Sequence, residues 1–200
     1  MKIRIDLKIL IFLIIFYFTH QIRNYMIIMF FSVFHEIGHI LTGLILKIKP
    51  EKLEIMPFGF SASFDFCIAD KKSKIKEIFI TLGGPLTSFI LAILFKCIDT
   101  TYITKQEVIY ANLLIMIFNL IPVYPLDGGR ILKGILHIKL GTIKSEILSY
   151  QISKINLIIL TVISSILVYY YQNIAIFLIC ISLWLIVIKE KNGKSIDIFE

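Results

Sequence analysis

Two histidines and a glutamate stand inside an otherwise apolar run, Met29 to Gly43, written MFFSVFHEIGHILTG. An ionisable group at bilayer depth costs at least a few kcal/mol, so residues of this kind mark a functional site by default. If the run is a helix, His35 and His39 lie four residues apart on one face and can turn imidazole nitrogens toward a single ion. Glu36 lies beside them and can take a proton from a water that such an ion activates. Zinc suits this set, because imidazole and carboxylate bind it well and a catalytic site keeps its fourth position open for water. In the competing reading the histidines merely bond neighbouring helices, but Glu36 would then be buried without a charged partner, which is expensive.

Two histidines need a third ligand. Asp127 is the acidic residue that ends a later apolar stretch, NLLIMIFNLIPVYPLDGGR. Pro122 and Pro125 interrupt helical hydrogen bonding there, and Gly128 with Gly129 allows close approach of backbone. Non-helical backbone at membrane depth is tolerated only where it lines protein or a wet cavity, so the break itself points to a site.

The elements that must carry these residues follow from composition. The chain has 200 residues, is 58% hydrophobic and only 18% charged, and has a mean hydropathy of +0.86. A soluble domain carries about a quarter charged residues, so the expectation is an all-α polytopic membrane protein. Six apolar segments approach the length of about 20 residues that crosses a bilayer, near 7–20, 25–46, 77–97, 107–127, 153–171 and 173–188. The first follows Lys2, Arg4 and Lys8, but bulky, polar FYFTHQIRNY offers no small-residue cleavage site, so it reads as a retained span. The chain reads as one membrane-embedded domain over 1–200, with its core at 25–135. Cys67, Cys97 and Cys180 have neither even number nor paired spacing and imply no disulfide framework or thiolate site.

The net charge of +7 does not form a stripe for nucleic acid, because the basic residues flank apolar runs. With the N-terminus in the cytosol, 18 of the 21 basic residues fall in inside connections, leaving Arg23, Lys96 and Lys105 outside. Both termini are therefore expected in the cytosol. The second and fourth spans would then both enter from outside, and His35, His39 and Asp127 would come to similar depth near the cytosolic side.

Two connections are more than links. Phe58, Phe60, Ala62, Phe64 and Phe66 alternate with Gly59, Ser61, Ser63 and Asp65, a period-two strand signal between the second and third spans. It reads either as a hairpin in water or as a strand reaching a membrane cavity, where its edge would hold an extended substrate. Residues 128–152 read as a basic, partly helical cytosolic link.

The membrane-embedded HEIGH, the intervening GGPLTS and the later FNLIPVYPLDGGR together resemble the site-2 protease family of intramembrane zinc metalloproteases, most of all its sporulation branch. The resemblance implies one zinc per chain, held by His35, His39 and Asp127, with Glu36 as catalytic base. It implies that Asn119 holds the substrate chain or the reaction oxyanion, and that Gly83, Gly84 and Pro85 pack core helices. It further implies a membrane-associated protein substrate, such as a sporulation sigma-factor precursor, cleaved near the cytosolic face. Inhibitory membrane proteins are partners of the same kind, and a bacterial cell membrane or the membrane around a forespore is the implied location. The final KEKNGKSIDIFE is too short for the CBS domain of the sporulation proteases, and no segment between spans would hold a PDZ domain. Two other classes compete: a prenyl-protein type of membrane zincin, which uses a distal Glu as third ligand, and a metal transporter, which has no need of Glu36.

Overall fold

The computed structural model describes residues 2–5, 8–56, 59–64, 71–98, 103–171 and 175–197. The chain divides into two compact units, Met1–Asn119 and Leu120–Glu200.

The first unit runs β1 (Lys2–Ile5), α1 (Lys8–Phe18), α2 (Ile22–Ile45), β2 (Pro50–Met56), β3 (Gly59–Phe64), α3 (Lys71–Leu94) and α4 (Lys105–Asn119). Helices α1 and α2 are each followed, two residues on, by a residue in the left-handed region, His20 at φ 56° and Lys47 at φ 61°. After α2, the Ile48 N–H reaches the Gly43 carbonyl at 2.8 Å and the Lys47 N–H reaches Leu44 at 3.0 Å. This pair of bonds is a Schellman motif, which reverses the chain toward β2. Helix α2 packs on α3 and α4, and β3 lies on α2. Ile27 and Phe31 of α2 meet Val108, Ala111 and Ile115 of α4 in the apolar cluster of this unit.

The strands form a sheet of order β1-β2-β3. β1 is parallel to β2, with Ile3 opposite Leu53, and β2 is antiparallel to β3, with Leu53 opposite Ala62. The expected strand is thus present over Gly59–Phe64, while Phe58 and Phe66 lie outside the described residues. The β segment is larger than expected, since it recruits Lys2–Ile5 from the N-terminus as well as Pro50–Met56.

The second unit holds α5 (Asp127–Leu140), α6 (Thr142–Tyr171) and α7 (Ala175–Asp197). Gly141, at φ 81°, turns α5 into α6. Lys133 of α5 lies 3.4 Å from Glu146 of α6, and the Trp184 indole of α7 donates to the Thr161 hydroxyl of α6 at 3.1 Å. The expected cytosolic link over 128–152 is helical, and α6 begins well before residue 153 because a polar first half continues the apolar helix.

Burial is inverted relative to a water-soluble protein. Ser88 and Asn112 are wholly buried, with His35, Glu36, His39 and Asp127 nearly so, while Phe30, Leu41 and Ile117 are more than half exposed. Polar groups inside and an apolar surface outside are what a hydrocarbon solvent selects. Helices Ile22–Ile45, Lys72–Leu94 and Thr142–Tyr170 are long and apolar enough to cross a membrane, and Ile9–Phe18 and Phe177–Lys189 are shorter apolar helices. Helix α4 stops at Asn119, short of the expected 107–127, because Pro122 and Pro125 disfavour helix in the residues just before them.

Candidate metal centre

Helix α2 presents His35, Glu36 and His39 on its buried face. Their surroundings come from α3, which approaches closely because two glycines meet. A Cβ on Gly38 would lie 2.6 Å from the Gly83 carbonyl, and one on Gly83 would lie 2.7 Å from the Gly38 carbonyl. Close approach of this kind is the usual device where lipid supplies no hydrophobic drive between helices. Thr42 and Thr87 flank the contact and turn their hydroxyls back onto the carbonyls of Gly38 and Gly83, at 2.8 and 2.9 Å.

That approach delivers a hydrogen-bond partner to each imidazole. The Nδ1 of His39 lies 2.9 Å from the Ile80 carbonyl, and the Nδ1 of His35 lies 2.9 Å from Ser88 Oγ. The Gly84 N–H also comes within 3.2 Å of the His39 Nδ1, but a carbonyl only accepts, so at the shorter contact with Ile80 Nδ1 carries the hydrogen and Nε2 presents its lone pair. Ser88 Oγ can accept from Nδ1 of His35 in the same tautomer, which leaves its Nε2 as the ligating atom. The two Nε2 atoms stand 3.2 Å apart. Two nitrogens bound tetrahedrally to one zinc, each at about 2.0–2.1 Å, are separated by about 3.3 Å. Two lone pairs facing each other at that distance repel, and a shared cation relieves the repulsion, so the pair fits a metal ion.

Gly84 keeps this side of the rings open. A Cβ there would sit 2.5 Å from the Nε2 of His35 and equally inside the reach of His39. Pro85 follows within α3, where it provides no N–H to the carbonyl one turn earlier. The buried Glu36 carboxylate accepts through Oε1 from the backbone N–H of Ala62 in β3. Phe60 and Phe64 of that strand are half-buried. Asn119 ends α4 and donates from Nδ2 to the Ile115 carbonyl of its own helix at 3.0 Å.

In the second unit, Asp127 is the first residue of α5 and is buried. The N-terminus of a helix carries partial positive charge, which suits an anionic ligand. The turn before it is shaped by Pro122 and Pro125, with the Leu126 N–H donating to the Val123 carbonyl at 2.8 Å. Gly128 is required there, since a Cβ would collide with the carbonyls of Leu120 and Ile121, and one on Gly129 would meet Val123 and Tyr124 backbone. Among the described residues, His35 and His39 of the first unit and Asp127 of the second are each buried and each of a type that can bind a metal ion.

Three groups at the site were not foreseen from sequence: Ser88, the Ile80 carbonyl and the Ala62 N–H. Ser88 was within sight, as the last residue of GGPLTS and one turn after Gly84. The other two are backbone groups, and only the packing of α3 and β3 on α2 identifies them.

A buried HExxH helix, an aspartate at a later helix start and an apolar exterior define a membrane metalloprotease class. The comparisons agree. Residues 104–163 match the model of peptidase family M50. The chain is 32% identical over 180 residues to a zinc metalloprotease of Methanocaldococcus jannaschii, covering 86% of this chain and 50% of that protein. It is 24% identical over 119 residues to stage IV sporulation protein FB of Bacillus subtilis, covering 57% of this chain and 40% of that protein. The solved site-2 protease from Methanocaldococcus jannaschii shares its fold with a TM-score of 0.73 and 27% identity, over 94% of this chain and 89% of that one. The chain belongs to the site-2 protease family of membrane zinc metalloproteases. It spans half the length, or less, of these two curated relatives.

Proposed function

We propose that the chain is an intramembrane zinc endopeptidase that cuts a membrane-associated protein near the cytosolic face. The observation that carries this reading is the His35 and His39 pair, with Nε2 atoms 3.2 Å apart and the buried carboxylate of Glu36 next in the chain. His35, His39 and Asp127 would hold one zinc ion. When bound, zinc acts as a Lewis acid on a carbonyl and lowers the pKa of water toward about 7.

The chain's own residues do the rest. Glu36 takes the proton of the attacking water and passes it to the leaving amine as the peptide bond breaks, so the carboxylate is regenerated each cycle. Ser88 and the Ile80 carbonyl hold the imidazoles in the tautomer that points Nε2 inward. Strand β3 offers backbone to an extended substrate, because a helical one hides its peptide bonds in its own ladder. Asn119 would hold the substrate chain or the oxyanion.

The chain crosses the membrane six times in this reading, with the shorter apolar helices completing the three long ones and both termini in the cytosol. The substrate is named here by class. A sporulation sigma-factor precursor is one candidate of that class, motivated by the similarity to stage IV sporulation protein FB.

The test is cleavage of a membrane-tethered reporter protein co-expressed with the wild type and with Glu36→Gln, read by gel mobility. Wild-type cleavage and loss of it in Glu36→Gln, with zinc retained, is the expected result. Full turnover by Glu36→Gln would remove the base assignment and favour an ion path over a protease.

A further inference from the structure

We propose that the backbone N–H of Ala62 is a positioning group for Glu36, so that the strand expected to receive the substrate also sets the direction of the base. The inference rests on the protease reading and adds to it a residue with no reactive side chain.

The geometry is specific. Ala62 is 1% exposed and Glu36 7%, so water does not stand in for either partner of their bond. Ala62 lies opposite Leu53 in the antiparallel β2–β3 pair, between Ser61 opposite Glu54 and Ser63 opposite Lys52. In such a ladder, alternate residues direct N–H and C=O toward the partner strand, and the residues between them direct these groups away. The Ala62 N–H is spent on Glu36 Oε1, so it belongs to the outward set with Phe60 and Phe64, while Ser61 and Ser63 face β2. Among the described residues β3 ends the sheet, and its outward side is turned to α2.

The strand is seated along α2 at two further points. The Gly59 position, at φ 144°, leaves Ser32 within 3.3 Å of where a Cβ would be, and the ring of Phe64 fills the space a Cβ on Gly43 would enter. Contacts at Ser32, Glu36 and Gly43 thus follow the strand along the helix. A donor carried on such a strand cannot swing away as a side chain can. A carboxylate held at one oxygen has fewer orientations open to it, and a charge-assisted bond from a backbone N–H is among the stronger of its kind. Misplacing a reacting group by about 1 Å costs on the order of a hundredfold in rate. Any displacement of β3 along α2 would therefore act on the base directly, through the strand.

Proline at position 62 removes this one donor without removing a β2 ladder bond. Ala62→Pro should bind zinc as the wild type does and lose roughly tenfold to a hundredfold in kcat, with KM changed less than about threefold. Ala62→Gly keeps the N–H and should restore most of kcat. A rise in KM at unchanged kcat would assign Ala62 to substrate pairing alone and overturn the proposal, as would full activity of Ala62→Pro. A second measurement does not need the proline to fold. In Glu36→Ala, residue-resolved hydrogen exchange of the full chain should show the Ala62 amide opening at least about tenfold faster than in the wild type, with Ser61 and Ser63 unchanged. Equal protection of Ala62 in both proteins would mean that the bond does not hold it. The two readings fail separately: an active Glu36→Gln speaks against the protease base, whereas an inactive Glu36→Gln beside a fully active Ala62→Pro speaks against the role of Ala62.

Discussion

Replacing Ser88 by alanine tests whether the metal centre depends on a group that never touches the metal. Ser88 is wholly buried, and its Oγ lies 2.9 Å from Nδ1 of His35, itself 5% exposed. The substitution deletes one oxygen from a helix interior and leaves the α2–α3 contact at Gly38 and Gly83 untouched. What remains is a buried N–H without its acceptor, and a group left in that state costs about 1–3 kcal/mol. The imidazole can recover part of this by rotating, at the expense of ligand geometry. The loss therefore falls on the zinc-bound state, and a penalty of that size corresponds to a weakening of roughly tenfold to a hundredfold. Loss of the outer partner of a ligating histidine gives the same range in known metal sites, about 10–100-fold. The assay is chelator competition for zinc on detergent-solubilised protein, with helix content checked by circular dichroism. Ser88→Thr, which keeps the hydroxyl, should bind zinc more tightly than Ser88→Ala. Wild-type zinc affinity in a folded Ser88→Ala protein would refute the argument, because the hydrogen bond would then contribute nothing to ligand orientation.

Gly84→Ala should abolish zinc binding while the helices remain, since its Cβ would enter the space of both Nε2 atoms; metal analysis of the purified variant decides. Asp127→Asn should lower zinc content and cleavage together, because the ligand loses its charge at a helix N-terminus that favours an anion, and wild-type metal content would move the third ligand elsewhere. Reporter fusions after Lys74, Lys144 and Lys194 should report the cytosol and one after Asn173 the outside. A cytosolic signal after Asn173 would break the six-span reading.

How far the sequence reached depended on the range of the interactions involved. HEIGH was legible because the i, i+4 spacing of His35 and His39 is a property of one helix, and α2 supplies it. The strand Gly59–Phe64 was legible because period two is local, and the helix break was legible because Pro122 and Pro125 act on their neighbours. Strand β1 was not foreseen. Four residues carry little pattern, and Lys2–Ile5 becomes a strand by pairing with Lys52–Ile55, far along the chain. The start of α6 at Thr142 was hidden for another reason. A search for lipid-length apolar runs detects the part of a helix that meets hydrocarbon and passes over its polar extension, here Thr142–Lys154. Ser88 was missed because a serine in an apolar helix is most often a packing residue, and its partner lies 53 residues away.

The arrangement around α2 shows why a small-residue contact and a candidate metal site occupy the same stretch of chain. A buried imidazole ligand needs its second nitrogen satisfied, and hydrocarbon offers no water to do so. The satisfying group must come from another helix, close enough for a 2.9 Å bond at two levels, one turn or so apart. Helix α3 meets this need only by bringing its backbone against that of α2, and Gly38 with Gly83 permits it. Ile80 then lies before the contact and Ser88 after it, so the same approach serves His39 and His35. A larger residue at either glycine would push the helices apart and weaken both hydrogen bonds at once. Close packing here is a condition of the chemistry, because the contact that holds α2 to α3 also sets the tautomers of the two histidines.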